Sequence, residues 1–145
     1  MKMNAPLSGL VRLTIVGLVM TGIGFLGAGV NPGPGPRAVQ GALIVGSLYL
    51  PPLLVGLVTL AIAGLVATRN GWMPALGAAF AGILLIGAAT LGSASVLFRL
   101  THPGLIIGFT EDSLQLIGEV IAIVAGIAAT VQFVRNQASD HRLTS

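Results

Sequence analysis

The chain has 145 residues, 54% of them hydrophobic and 8% charged, with a formal net charge of +3 and no cysteine. Soluble domains carry about 25% charged residues, so this composition excludes a water-soluble domain and predicts an all-α integral membrane protein whose first partner is the lipid bilayer. The missing cysteines exclude disulfides, thiolate metal sites, Fe–S clusters and covalent haem, and seven cations scattered along an oily chain form no basic patch for nucleic acid.

Four apolar spans follow in chain order, at about 13–30, 41–67, 73–98 and 113–134. Each reaches the ~17–25 residues that a ~30 Å hydrocarbon core demands, and the middle two slightly exceed it. No water is available there to hydrogen-bond the backbone, so spans this short must be helical. None alternates every second residue as a barrel strand would. The expected architecture is one domain, residues 1–145, folded as a four-transmembrane-helix bundle.

The first span could begin as early as Pro6, with Arg12 reaching back to the surface. Lys2, Arg12 and the small residues Gly27 and Gly29 also resemble a cleavable signal peptide, but the charged leader would be long and no soluble domain follows. "GIGFLG" at 22–27 matches a dinucleotide-binding pattern in letters only: no acid lies between 29 and 60, and the match sits within an apolar span. Its glycines belong instead to a small-residue face, Gly17, Thr21, Gly24 and Ala28, that lets another helix approach closely.

"NPGPGPR" at 31–37 cannot continue a helix. The second span then holds Pro51 and Pro52, which deprive the carbonyls of Ser47 and Leu48 of helical partners. Either they kink one long helix, or the helix starts at Pro51 with 39–48 along the surface. The matched lengths of the second and third spans favour the kink. "RNG" at 69–71 makes a tight hairpin to the third span, with Asn70 as a helix cap and Pro74 in the first turn. After the third span, "LIIGF" at 105–109 is too short to cross and is expected to lie at the interface. "TEDS" opens the last helix with acids in its first turn.

That last span carries the chemistry. Asp112, Gln115 and Glu119 fall at i, i+3 and i+7 on one helical face, which continues through Ala122, Gly126 and Thr130. Gly118 joins Ala122, Gly126 and Thr130 in a small-residue row suited to close packing. Leu114, Ile117, Ile121, Val124 and Val131 form the opposite, lipid-facing stripe. Counted from Ser113, Glu119 lies about 9 Å along the axis at ~1.5 Å per residue, a shallow depth. Three roles fit it: an ion pair or hydrogen bond to Arg99 or His102, a titrating carboxylate for proton or cation transport, or contact with a partner subunit or lipid headgroup. His102 and His141 stand alone in a loop and a tail, so no metal site is expected. No motif of nucleophilic, metal-dependent or phosphate chemistry is present, so no cofactor and no catalytic residue are predicted.

Placing the N-terminus in the cytoplasm puts Lys2, Arg12, Arg69, Arg135 and Arg142 inside and Arg37 and Arg99 outside, the distribution that the positive-inside rule favours. Both termini are then cytoplasmic, and the arginine-rich, Gly/Ala-rich composition suggests a bacterial inner membrane. Abundant close-packing faces with little polar lining make a non-enzymatic accessory or structural subunit, in a homo-oligomer or larger membrane complex, the first functional expectation. A small proton- or cation-coupled transporter or channel-like protein is the alternative.

Overall fold

The computed structural model describes residues 8–30, 44–45, 48–68, 70–91, 93–102, 104 and 106–143. The loop 31–37 with Arg37, and also Lys2 and Arg69, lie outside the described residues.

The order of elements is α1 (Gly9–Val30), β1 (Ile44–Val45), β2 (Leu48–Tyr49), α2 (Leu50–Ala67), α3 (Met73–Leu91), α4 (Ser93–Thr101) and α5 (Ile106–Leu143). Four of the helices, α1, α2, α3 and α5, are long and apolar enough to cross a membrane. They pack as an antiparallel bundle in which α1 and α5 form the most extensive pair, α2 lies against α1, and α3 lies against α5.

The helix starts follow from local chemistry. Ser8 caps α1, its Oγ accepting from Val11 N at 3.3 Å and its carbonyl from Arg12 N at 3.1 Å. The hydroxyl satisfies an amide that has no partner within the helix. The first helix therefore begins four residues before the expected position 13, with Arg12 exposed in its first turn.

The second span differs more. Residues 44–45 and 48–49 form a short antiparallel pair, Ile44 opposite Tyr49 and Val45 opposite Leu48, and α2 begins only at Leu50. Pro51 and Pro52 therefore do not kink a long helix from 41; they occupy the first turn of a shorter one. First-turn amides lack intrahelical partners in any case, so proline costs no hydrogen bond there, and its fixed φ suits the start.

The third span is described as α3 to Leu91 and the nine-residue α4 from Ser93, with Gly92 between them outside the described residues. Asn70 participates through its carbonyl, which accepts from Met73 N at 3.0 Å as α3 starts.

The last helix is longer than expected at both ends. "LIIGF" is not separate from the last helix: from Ile106 onward it is the first turn of α5, reinforced where Thr110 Oγ1 donates to the Ile106 carbonyl at 2.7 Å. Glu111 and Asp112 consequently sit in the second turn, where the dipole argument for their presence does not apply. At 38 residues α5 is about 57 Å long at ~1.5 Å per residue.

Large and small side chains are distributed inside out. Leu18, Ala63, Val66, Ala81 and Ala122 form the buried core. Leu54, Leu57, Ile83, Ile86, Ile117 and Val124 are exposed. Glycines let the backbones meet: a Cβ on Gly17 would lie 2.6 Å from both Gly118 O and Ala122 N, and one on Gly118 would lie 2.6 Å from Gly17 O.

Candidate functional site

The site is built on the buried face of α5. Glu111, Asp112 and Glu119 are three of the four acidic residues in the chain. Asp112, Gln115 and Glu119 are buried together on one face, as their spacing requires. Glu119 is fully buried and ranks among the largest side chains with no exposure. Its Oε1 accepts from Gln115 Nε2 at 3.3 Å, and its Oε2 has no partner.

Depth is the first correction to the expected site. Glu119 lies thirteen residues into α5, about 20 Å from the helix start at ~1.5 Å per residue. It is also one residue from Gly118, whose neighbours Gly17 and Thr21 lie midway along α1. The carboxyl is therefore at mid-bundle. The earlier start of α5 supplies the extra turns.

The pairing is the second correction. Arg99 reaches from α4 to Asp112, with Nη1 3.5 Å from Oδ1, and does not pair with Glu119. Its stem lies over Gly108, whose missing side chain leaves room: a Cβ there would be 3.0 Å from Arg99 Cδ. His102 is exposed; its Nδ1 bonds the Phe98 carbonyl at 2.8 Å and its ring stacks on Phe98 at 4.3 Å. Arg99 is therefore a member of the cluster, and His102 is not.

Two further residues join the cluster beyond the three on the shared face. Glu111 packs on α1, where a Cβ at Gly27 would lie 2.8 Å from its Oε1, and its Oε2 is buried without a partner. Thr21, read only as a small residue, donates from Oγ1 to the Gln115 carbonyl at 3.3 Å across the α1–α5 contact. A hydroxyl within a run of glycines was the available signal.

The packing residues fall on either side of this cluster. Gly24 faces Glu111 O and Gln115, Gly17 faces Gly118 and Ala122, and Gly126 faces Pro74 and Ala78 of α3. Thr130 continues the row but turns its hydroxyl back to the Gly126 carbonyl at 2.8 Å. Among the described residues no group of three or more His, Asp or Glu could hold a metal ion.

Fold and site together define a four-helix apolar bundle with a buried acidic face. No family model matches the chain, and no curated protein or solved structure matches it at a significant level.

Proposed function

We propose that the chain is a multi-pass integral membrane protein that works as a small proton- or cation-coupled transporter or channel-like protein, with Glu119 as its ion-carrying carboxyl. The membrane assignment rests on the apolar exterior. Exposed residues such as Leu54, Ile83, Ile86 and Val124, each more than 60% accessible, surround a core of alanines with Leu18 and Val66. In water such a surface would drive aggregation; in lipid it is the ordinary outer face. The positive-inside count supports a cytoplasmic location for both termini, and reporter tags fused to the two ends should report the same side.

One observation carries the transport reading: Glu119 is fully buried at mid-bundle with Oε2 unpartnered, and among the described residues no cation forms a salt bridge with it. An acidic group at the centre of a membrane helix costs roughly 2.5–3.5 kcal/mol on insertion scales. A chain gains nothing structural from that cost when the cation it could have used, Arg99, is bound to Asp112. The test is ion flux in reconstituted vesicles driven by a pH or cation gradient. Wild-type flux that Glu119→Gln abolishes supports the reading; equal flux from both ends it.

A second reading, the accessory or structural subunit, draws on a different feature. Ala75, Ala78, Ala79, Ile127, Thr130 and Val131 line an open groove of about 320 Å³ between α3 and α5. The small-residue faces of α1 and α5 support a partner less than their sequence suggests, because they are occupied by each other. Co-purification of a stoichiometric partner in mild detergent would favour this reading.

A further inference from the structure

We infer that the ion Glu119 takes up is a proton, and that it reaches the carboxyl only from the end of the bundle where α4 packs. This rests on the transport reading above and narrows it in two respects, the identity of the ion and the side of entry.

The identity follows from the number of ligands. Ca²⁺ takes about 6–8 oxygens and Mg²⁺ about six. Glu119 offers one unpartnered oxygen, its other being occupied by Gln115, and no group of three acids or histidines that could hold a metal gathers among the described residues. A proton needs a single oxygen. The other elements add no competing charge. Neither α2 nor α3 contains a charged residue, α1 contributes only Arg12, exposed near its start, and α4 contributes Arg99, paired to Asp112.

The side of entry follows from an asymmetry along α5. Toward α4 the column is polar: Gln115, then Asp112 and Glu111, then Arg99. Asp112 Oδ2, Glu111 Oε2 and Arg99 Nε all lack partners there. In the other direction Leu18, Ala63, Val66, Ala81 and Ala122 close the bundle, and the one nearby hydroxyl on α1, Thr14, is tied to the Leu10 carbonyl at 2.9 Å. Among the described residues, Arg99 is the cation at the polar end. It joins the short α4 to α5 through Asp112, so loss of that ion pair exposes the column.

Carbodiimides, which add to protonated carboxyl groups, test both parts in oriented vesicles, with adducts located by peptide mass. Dicyclohexylcarbodiimide, which partitions into lipid, should modify Glu119 in the wild type and give no adduct at that position in Glu119→Gln. Excess Na⁺, K⁺ or Mg²⁺ at fixed pH should not protect; protection by any of them overturns the proton assignment. A water-soluble carbodiimide should reach Glu119 only from the α4 side, with a gain of about fivefold in Arg99→Gln, the population change that ~1 kcal/mol of lost closure produces. Modification from the opposite side, or no gain in Arg99→Gln, overturns the assigned route while leaving the carboxyl's role intact. Failure of the lipid-soluble reagent to modify Glu119 at any pH removes the transport reading itself.

Discussion

Gln115 Nε2 donates to Glu119 Oε1 across one turn of α5, at 3.3 Å, and among the described residues this is the one hydrogen bond to the carboxyl of a residue with no exposed surface. The pair is neutral on one side and ionisable on the other, with the ionisable member at mid-bundle. The mutational expectations start from that imbalance.

Glu119→Gln keeps the shape of the side chain and its capacity to bond Gln115, and it removes an ionisable group from an apolar interior. Burying a neutral amide costs less than burying an unpaired carboxylate. Thermal stability in detergent should therefore be unchanged or higher, while gradient-driven flux is lost. Glu119→Lys places an ammonium where only Gln115 can reach it, and should lower the melting temperature.

Arg99→Ala should destabilise more than Arg12→Ala. Arg12 is exposed, whereas Arg99 holds Asp112, whose second oxygen already lacks a partner. Asp112→Asn in the Arg99→Ala background should recover part of the loss. A double-mutant cycle in detergent unfolding should return a coupling of roughly 0.5–3 kcal/mol, the range for residues in direct contact.

Gly17→Ala and Gly118→Ala should each separate α1 from α5. The added methyl meets backbone atoms at 2.6 Å in both cases, and backbone cannot move aside as a flexible side chain can. Overpacking of this kind costs about 1–3 kcal/mol. Gly82→Ala is the matched control: nothing lies within 4 Å of its added carbon. Alanine is the better helix former by about 0.5–1 kcal/mol, so that variant should melt no lower than the parent.

Thr21→Val removes a hydroxyl that bonds the Gln115 carbonyl across the helix pair. Hydrogen bonds between membrane helices average about 0.6 kcal/mol, so a small but measurable drop in unfolding free energy is expected. Thr90→Val, which removes an exposed bond back to its own helix at Ile86, should leave the melting temperature unchanged.

Much of the fold was legible from residues alone, and the failures share a cause. Four long apolar helices follow from composition and span length, and the shared face of Asp112, Gln115 and Glu119 follows from helical period. Helix boundaries were less legible. The matched lengths of the second and third spans suggested a long kinked helix, but Pro51 and Pro52 lie in the first turn of α2, which begins at Leu50. Apolarity runs continuously through this helix start, so a length count cannot see it; the backbone constraint of proline decides it.

What the sequence by itself determined is local: which segments are helical, which stripe of the last helix turns inward, and that an acid lies on that stripe. These depend only on the period of one helix and on the scarcity of charge. The partners were decided by tertiary structure. Arg99 is nearer in sequence to Asp112 than to Glu119, but only the packing of α4 against the start of α5 puts the guanidinium beside Asp112. The depth of Glu119 likewise depends on the register between α1 and α5. That register is set where Gly17 and Gly118 let two backbones touch, a contact between residues a hundred positions apart that no local pattern encodes.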